Sequence, residues 1–399
     1  MSFLFLVNNH LFHLNKGTNF SIQTPSIMKE LVGDTITISA TKLEQYEICP
    51  FQYFCSNALQ LFYRQRNTLN AVQSGNLIHY CLEQFLSCYS KNTFLSLQAE
   101  QIQANIQVFS KQYFDQHLLN AYGTSNRMEM EYQKLLNNIS TVIHHLQEEL
   151  QQTSFYPVYL ELPIHPKNIQ FPPMLLQTNQ GDSIRIIGKV DRVDTYIDPS
   201  DHQLWVRVID YKSGKHTFSF SNLLYGLDMQ MLIYLATLLQ PGTPLEHAKP
   251  AGILYDPVGI LKKDLKREEK ISIDQHINDS YRMSGILLDN VPLIRKMETG
   301  NSGTYLPIIE QNEGLKGKEN GILLNEMEFQ QLFQYMKQKV IDMAESVFHG
   351  KIEAAPLQLN SSMQPCQHCP YHTICGTLKY ENVRTSSLSK KEANAYMHQ

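Results

Sequence analysis

Two short segments in the middle of the chain carry charge where strands usually hide apolar side chains. They read IGKVDRVDTY, from Ile187 to Tyr196, and VIDYKSGK, from Val208 to Lys215. Side chains alternate along a strand, so Asp210 and Lys212 share one face. A turn-rich DPSDHQ separates two strand candidates, 184–196 and 204–211, and predicts an antiparallel hairpin. In such a hairpin Asp191 and Asp210 can face each other. Two carboxylates and an ammonium then converge on one spot. Bare carboxylates that close repel, and one keeps its proton. A divalent cation removes the conflict, and carboxylate oxygens suit Mg²⁺, which also takes phosphate oxygens as ligands. Metal and lysine together can stabilise charge at phosphorus, the chemistry of phosphodiester cleavage. A lone D-x-K is far more often a surface ion pair, so its company decides its meaning.

That company is spread along the chain. His79 follows Gly75 by four in GNLIH. Gln230 and Tyr234 stand at i and i+4 in QMLIY and leave one helix face together. Glu161 lies in YLELPI, on the strand candidate before the hairpin. Taken singly, His79 reads as a hydrogen-bonded core histidine, Tyr234 as a core aromatic, and Gln230 and Glu161 as solvent-facing. Cys366, Cys369 and Cys375 form C-x2-C-x5-C, a ligand-like spacing one thiol short of a four-coordinate site. Cys49, in YEICPFQYF, is the obvious fourth, with Cys55, Cys81 and Cys88 as rivals that read as buried small hydrophobes. Spacing alone leaves that choice open.

Several elements must hold these residues. TITISATKLEQYEICPFQYFCSNAL reads as a strand, a cap near Ser39 and Thr41, and an amphipathic helix carrying Leu43, Tyr46 and Cys49 on one side. SGNLIHYCLEQFLSCY is a second helix, with Leu77, His79, Tyr80, Leu82 and Phe85 near its apolar side. Residues 95–152 are helical and rich in Gln and Asn. FYPVYLELPI alternates like a strand. After the hairpin come a helix at 222–239 and a strand, PAGILYDPV. Residues 258–318 are charged and turn-rich, with METGNSGTY and NEGLKGKENG read as loops. A helix at 325–349 ends at Gly350. Three strands, a helix and a fourth strand predict an α/β fold with a mixed sheet flanked by helices.

Bulk composition limits the partners. Hydrophobic residues make up 42% of the 399 and mean hydropathy is −0.30, which describes a soluble globular chain able to bury a sizeable core. Net charge is −4, so no basic footprint advertises nucleic acid, and such a reading rests on local residues. Lys189, Arg192, Lys212 and Lys215 make the hairpin strip locally basic. No stretch reaches the roughly 18 apolar residues of a membrane span, and MSFLFLV lacks a basic n-region. The expected location is the cytoplasm, without membrane association. Seven cysteines are too sparse for a disulfide scaffold and read as thiols or ligands. No G-x-x-x-x-G-K-[ST] occurs, so no P-loop ATPase is expected.

The ordered set G-x-x-x-H (Gly75–His79), G-x-x-D-R-x-D (Gly188–Asp194), D-Y-K-S-G (Asp210–Gly214) and Q-x-x-x-Y (Gln230–Tyr234) resembles the RecB-type branch of PD-(D/E)xK nucleases. The resemblance implies that Asp191, Asp210 and His79 bind Mg²⁺ and that the backbone carbonyl of Tyr211 completes the site. It implies that Lys212 orients or activates water, and that Gln230 and Tyr234 support the site and the DNA strand. Glu161 carries over as a supporting acid, and Arg192 and Asp194 as scaffold. The C-P after an S-x-x-x-x-E/Q-Y-x-x-C-P helix, with the C-terminal cysteines, resembles the four-Cys iron–sulfur staple of AddB/RexB-type nucleases. That assigns Cys49, Cys366, Cys369 and Cys375 to a structural [4Fe–4S] cluster, with zinc as the alternative. PAGILYDPV and NGILLNEMEF extend the likeness over about residues 30–378.

The same resemblance implies a restriction-endonuclease-like sheet closed by that staple. Residues 1–30 are an N-terminal segment of uncertain role. Residues 31–378 form the nuclease domain, divided into a helical part (36–152), a catalytic core (153–260) and a C-terminal helix with the cysteines (320–378). Residues 379–399 form a flexible tail. The implied function is an exonuclease domain acting on the 5′-terminated strand at double-strand breaks, in recombinational repair. Its implied partners are DNA, an A-type partner with helicase and nuclease activity, and a separately encoded helicase-like part of its own B-type polypeptide, since that region is not represented here. The rivals are a stand-alone exonuclease of the CRISPR-adaptation type and a non-catalytic DNA-binding or scaffold fragment.

Overall fold

The computed structural model describes residues 21–22, 24–62, 71–117, 126–214, 218–259, 280–299, 303–311, 314–317, 321–358, 365–367, 369–375 and 383–385. Residues 1–20, Lys215 and nearly all of the tail after 378 lie outside them. Helix α1 (Pro25–Val32) leads to strand β1 (Thr35–Ile38) and helix α2 (Ala40–Ile48). Ser39 caps α2 as expected, its side chain accepting from the Lys42 amide. Leu43 and Tyr46 are buried, and Cys49 ends the helix as its C-cap. Pro50 then starts a short helix α3 (Pro50–Tyr53).

Helix α4 (Ala71–Cys88) buries Leu77, Ile78, Cys81, Leu82 and Phe85, and turns His79 toward the sheet. Helices α5 (Lys91–Ser96), α6 (Ala99–His117) and α7 (Asn126–Gln152) account for the Gln/Asn-rich stretch. Cys55 and Cys81 are buried as expected. Cys88 is exposed, contrary to its reading as a buried residue, because it sits on the outer side of the last turn of α4.

The strands follow: β2 (Tyr156–Ile164), β3 (Met174–Gln177), β4 (Ser183–Ile186), β5 (Gly188–Ile197) and β6 (Leu204–Lys212). The stretch 184–196 is therefore two strands. β4 pairs with β1 and β3 in a small sheet, and the break falls at Ile187, whose amide donates to the Ile38 carbonyl. The expected helix at 222–239 is also two: α8 (Phe220–Leu224) and α9 (Gln230–Leu238). Gly226 (φ 77) and Asp228 (φ 56) hold left-handed backbone between them and end the first helix.

Strand β7 (Lys249–Pro257) runs parallel to β6, as a helical crossover requires. The turn-rich region also holds strand β8 (Ser284–Leu288), helix α10 (Val291–Met297) and the hairpin of β9 (Ile308–Gln311) with β10 (Gly314–Gly317). Strand β11 (Gly321–Leu324) precedes helix α11 (Glu326–Phe348), which Asn325 and Glu328 start with a capping box. The main sheet is mixed, in the order β11-β8-β7-β6-β5-β2. β5–β6 is the expected antiparallel hairpin. The largest core cluster joins this sheet to α4, α7, α9 and α11.

Candidate active site

In the β5–β6 register Arg192 pairs with Ile209 and Asp194 with Arg207. Continuing it by one residue sets Asp191 across from Asp210. Asp191 Oδ2 accepts from the Tyr211 amide at 3.0 Å. On the other side of β5, β2 pairs Leu160 with Arg192 and Leu162 with Val190. Glu161 lies between these pairs, beside Asp191, and its φ of 46 is a left-handed conformation that a non-glycine residue rarely holds. His79 reaches over from α4. Its Nε2 donates to the Tyr211 carbonyl at 3.1 Å, and its Nδ1 lies 3.5 Å from both Glu161 Oε1 and Asp191 Oδ2. Ligand atoms of His79, Glu161 and Asp191 all fall within 4.8 Å of one another, a spacing suited to one metal ion.

Asp210 belongs to an adjoining group. Its Oδ1 accepts from Gln230 Nε2 at 2.8 Å, and its Oδ2 lies 2.6 Å from Lys212 Nζ. Lys212 Nζ also donates to Gln230 Oε1 at 3.4 Å and sits 5.6 Å from the centre of the Tyr255 ring. Tyr234, one turn after Gln230, lies against Gly188: a Cβ there would stand 2.4 Å from the Tyr234 ring. The leading glycine of G-x-x-D-R-x-D thus gives the tyrosine its place.

The electrostatics follow from crowding acids. Burial, then the charge of Asp210, pushes the Asp191 carboxyl up to about 7. Burial lowers the proton affinity of His79, but Glu161 and Asp191 outweigh it and raise it on balance. Burial likewise raises Glu161, and its bonds to His79 and Lys189 reverse that and hold it low. Two buried carboxylate oxygens, Glu161 Oε1 and Asp210 Oδ2, receive no hydrogen bond of good geometry. His79 spends its Nε2 proton on a carbonyl, which leaves Nδ1 to meet a cation or a second proton. A hard divalent cation fits this donor set: it would relieve the repulsion at Asp191 and give Glu161 Oε1 and Asp210 Oδ2 a partner beyond the His79 and Lys212 nitrogens beside them.

Under the sheet lies a second charged group. Arg192 Nε and Nη2 donate to Asp194 at 2.8 and 2.7 Å, so the expected scaffold pair is present. Arg207 joins it through Asp194 and Glu149, at 2.9 and 2.6 Å, and both arginines are fully buried. Arg207 and Glu149 were not singled out from sequence, although Arg207 in WVRVID carries the same signal as Asp191, a charge inside an apolar strand. Glu44 and Asp228 were also missed, and helical periodicity offered no signal for them. The Asp228 amide donates to Glu44 Oε1 at 3.1 Å, and burial pushes Glu44 up to about 7.

Cys49, Cys366, Cys369 and Cys375 line one small cavity of about 20 Å³, shut in by Phe51 and Pro356. Burial raises the thiols of Cys49, Cys366 and Cys369, that of Cys366 to about 11. Cys55 packs beside the group with Phe51 and Tyr371. Among the described residues no helix is long and apolar enough to cross a membrane.

A family model described as the PD-(D/E)XK nuclease superfamily matches residues 37–376. Curated relatives include proteins named as the B component of an ATP-dependent helicase/deoxyribonuclease. The one from Caldanaerobacter subterraneus subsp. tengcongensis is 29% identical over 360 residues, 88% of this chain and 30% of its own length. That of Staphylococcus saprophyticus subsp. saprophyticus is 28% identical over 403 residues, 95% of this chain and 34% of its own length. The chain therefore spans about a third of the length of the curated relatives it matches.

Proposed function

The chain belongs to the PD-(D/E)XK nuclease superfamily, and on that footing we propose that it is a divalent-metal-dependent deoxyribonuclease. The observation that carries this reading is the meeting of His79, Glu161 and Asp191 ligand atoms beside the Asp210–Lys212 pair. His79 Nδ1 and the carboxylates of Asp191 and Asp210 would hold Mg²⁺, with Glu161, expected only as a supporting acid, as a further donor. The Tyr211 carbonyl, expected as a ligand, instead accepts from His79 Nε2 and would fix the imidazole. When bound, such a cation supplies charge neutralisation and Lewis acidity toward a phosphodiester. Lys212 supplies the positive charge on the phosphate side of Asp210, where it orients water and offsets charge gathering on phosphate oxygens. Gln230 holds the relative position of Asp210 and Lys212 by bonding both. Tyr234 shapes the floor beside Gly188 and supports the DNA strand. Water adds at phosphorus and one P–O ester bond breaks, leaving a phosphate and a sugar hydroxyl.

Residues 31–378 are the proposed nuclease unit, with 36–152, 153–260 and 320–378 as its parts. We also propose that Cys49, Cys366, Cys369 and Cys375 hold a structural [4Fe–4S] cluster. The names of the relatives support a place within an ATP-dependent helicase/deoxyribonuclease, and the motif resemblance extends the proposal to processing of the 5′-terminated strand at broken DNA ends alongside an A-type partner. The test is degradation of 5′-labelled single-stranded DNA with Mg²⁺. Wild type should cleave, while Asp210→Ala and Lys212→Ala should lose about 100-fold or more. Equal rates in all three would sink the catalytic reading.

A further inference from the structure

The turn that launches α9 holds left-handed backbone, and a side chain from a distant helix helps to hold it. Gly226 and Asp228 both have left-handed backbone, at φ 77 and 56. At glycine this costs little. At Asp228 it is disfavoured, though less than at most non-glycine residues because its short side chain can bond locally. Such a conformation persists only where its surroundings over-determine it. Three groups do so here. The Asp228 amide donates to Glu44 Oε1 at 3.1 Å, Asn222 Nδ2 donates to Asp228 Oδ2 at 2.8 Å, and the Tyr255 hydroxyl donates to the Asp228 carbonyl at 3.5 Å. Asn222 belongs to the segment being positioned, and the Tyr255 bond is at the limit of length. Of the two anchors from outside the segment, Glu44 makes the shorter bond, and it lies 184 positions away on α2.

Two residues after Asp228, Gln230 opens α9 and bonds both Asp210 and Lys212. A change in backbone at 228 rotates the first turn of α9 and moves the Gln230 amide directly. The grip of α2 on this turn is doubled at Gly226, where a Cβ would stand 2.5 Å from Glu47 Cγ. We infer that Glu44 is a positioning residue for the nuclease site: it clamps the Asp228 turn and so fixes the Gln230 amide between Asp210 and Lys212. This rests on the nuclease reading given above. It also makes α2 a mechanical link, since the same helix ends on Cys49 of the cysteine cavity.

The role asked of Glu44 is that of an acceptor, not a charge, and two substitutions of equal length separate these. Glu44→Gln keeps an oxygen for the Asp228 amide; Glu44→Met keeps the bulk and loses the oxygen. In the full chain with Mg²⁺, Glu44→Met should lower kcat about tenfold with KM for single-stranded DNA unchanged, and should speed amide exchange at residues 227–234. Glu44→Gln should stay within about twofold of wild type in both. Should Glu44→Met fail to fold, Glu44→Ala takes its place.

The inference is overturned if Glu44→Gln is as impaired as Glu44→Met, which would mean that charge matters. It is equally overturned if kcat holds while only the melting temperature falls, or if exchange at 227–234 is unchanged. Wild type no more active than Asp210→Ala would defeat the nuclease reading instead, and the exchange comparison would then decide the clamp alone.

Discussion

Gly188 shows how closely single atoms are set around the site. With no side chain of its own, it lets the Tyr234 ring lie where a Cβ would be at 2.4 Å. Real Cβ atoms do not approach that near, so Gly188→Ala must push the ring and, through one helical turn, Gln230. The expected cost is about 1–3 kcal/mol of stability, read in a denaturant melt, with slower DNA cleavage. Gly188→Ala combined with Tyr234→Ala should cost less than the two single changes added together. Strict additivity would mean that the two residues do not share this contact. Asp191, Asp210 and Lys212 were legible because charges inside strand patterns contradict the usual alternation. Alternation placed Glu161 on the strand before the hairpin, and only its part in the site came through family likeness. Its approach to His79 and Asp191 depends on a left-handed residue in β2 and a register shift between Pro157 and Tyr159, and neither leaves a mark on residue type.

Helix α7 shows the same layering among elements. One helical turn apart, it presents Glu149 to the buried arginines and His145 to Tyr281, whose ring it stacks at 4.6 Å. Burial pushes His145 down to about 4. In the unfolded chain it would titrate near the ordinary 6.5, so between those values the unfolded state binds the extra proton. His145 therefore costs no stability above about pH 6.5, and its penalty accumulates as pH falls toward 4. It reaches about 3 kcal/mol there. Wild type and His145→Phe should diverge over this window in denaturant midpoints, with wild type falling more steeply; parallel curves would refute the assignment. Sequence patterning found β2, the hairpin, β7 and α11, and read the span of α5, α6 and α7 as one helical stretch. It merged β4 with β5 and α8 with α9, and it passed over β8. The first break falls where Ile187 bonds the distant Ile38, and the second at Gly226 and Asp228, whose left-handed backbone a helical pattern does not reveal. The third is a five-residue run buried at every position, which periodicity alone does not identify as a strand.

At the scale of the whole molecule, one small cavity joins residue 49 to residues 366–375. Arg384 adds a second tie, donating from Nε to the Ala355 carbonyl and from Nη2 to the Glu47 carbonyl on α2. Everything that forms the nuclease site except α2 lies in the long loop between the cysteines. Closing so long a loop removes entropy from the unfolded chain, by about 6 kcal/mol on the chain-entropy model used for covalent crosslinks. Metal–thiolate bonds would act on the chain in the same sense. The α2 helix would feel their loss first, because Cys49 is its C-cap. Anaerobically purified wild type should therefore be coloured, with visible absorption that Cys366→Ser abolishes. Cys366→Ser should also melt well below wild type and exchange faster at residues 49–58 and 371–375. Asp210→Ala, which touches none of these bonds, should keep its colour. A colourless wild type holding one zinc ion per chain would replace iron–sulfur with zinc and leave the crosslink argument intact. A Cys366→Ser chain as stable as wild type would remove the crosslink itself.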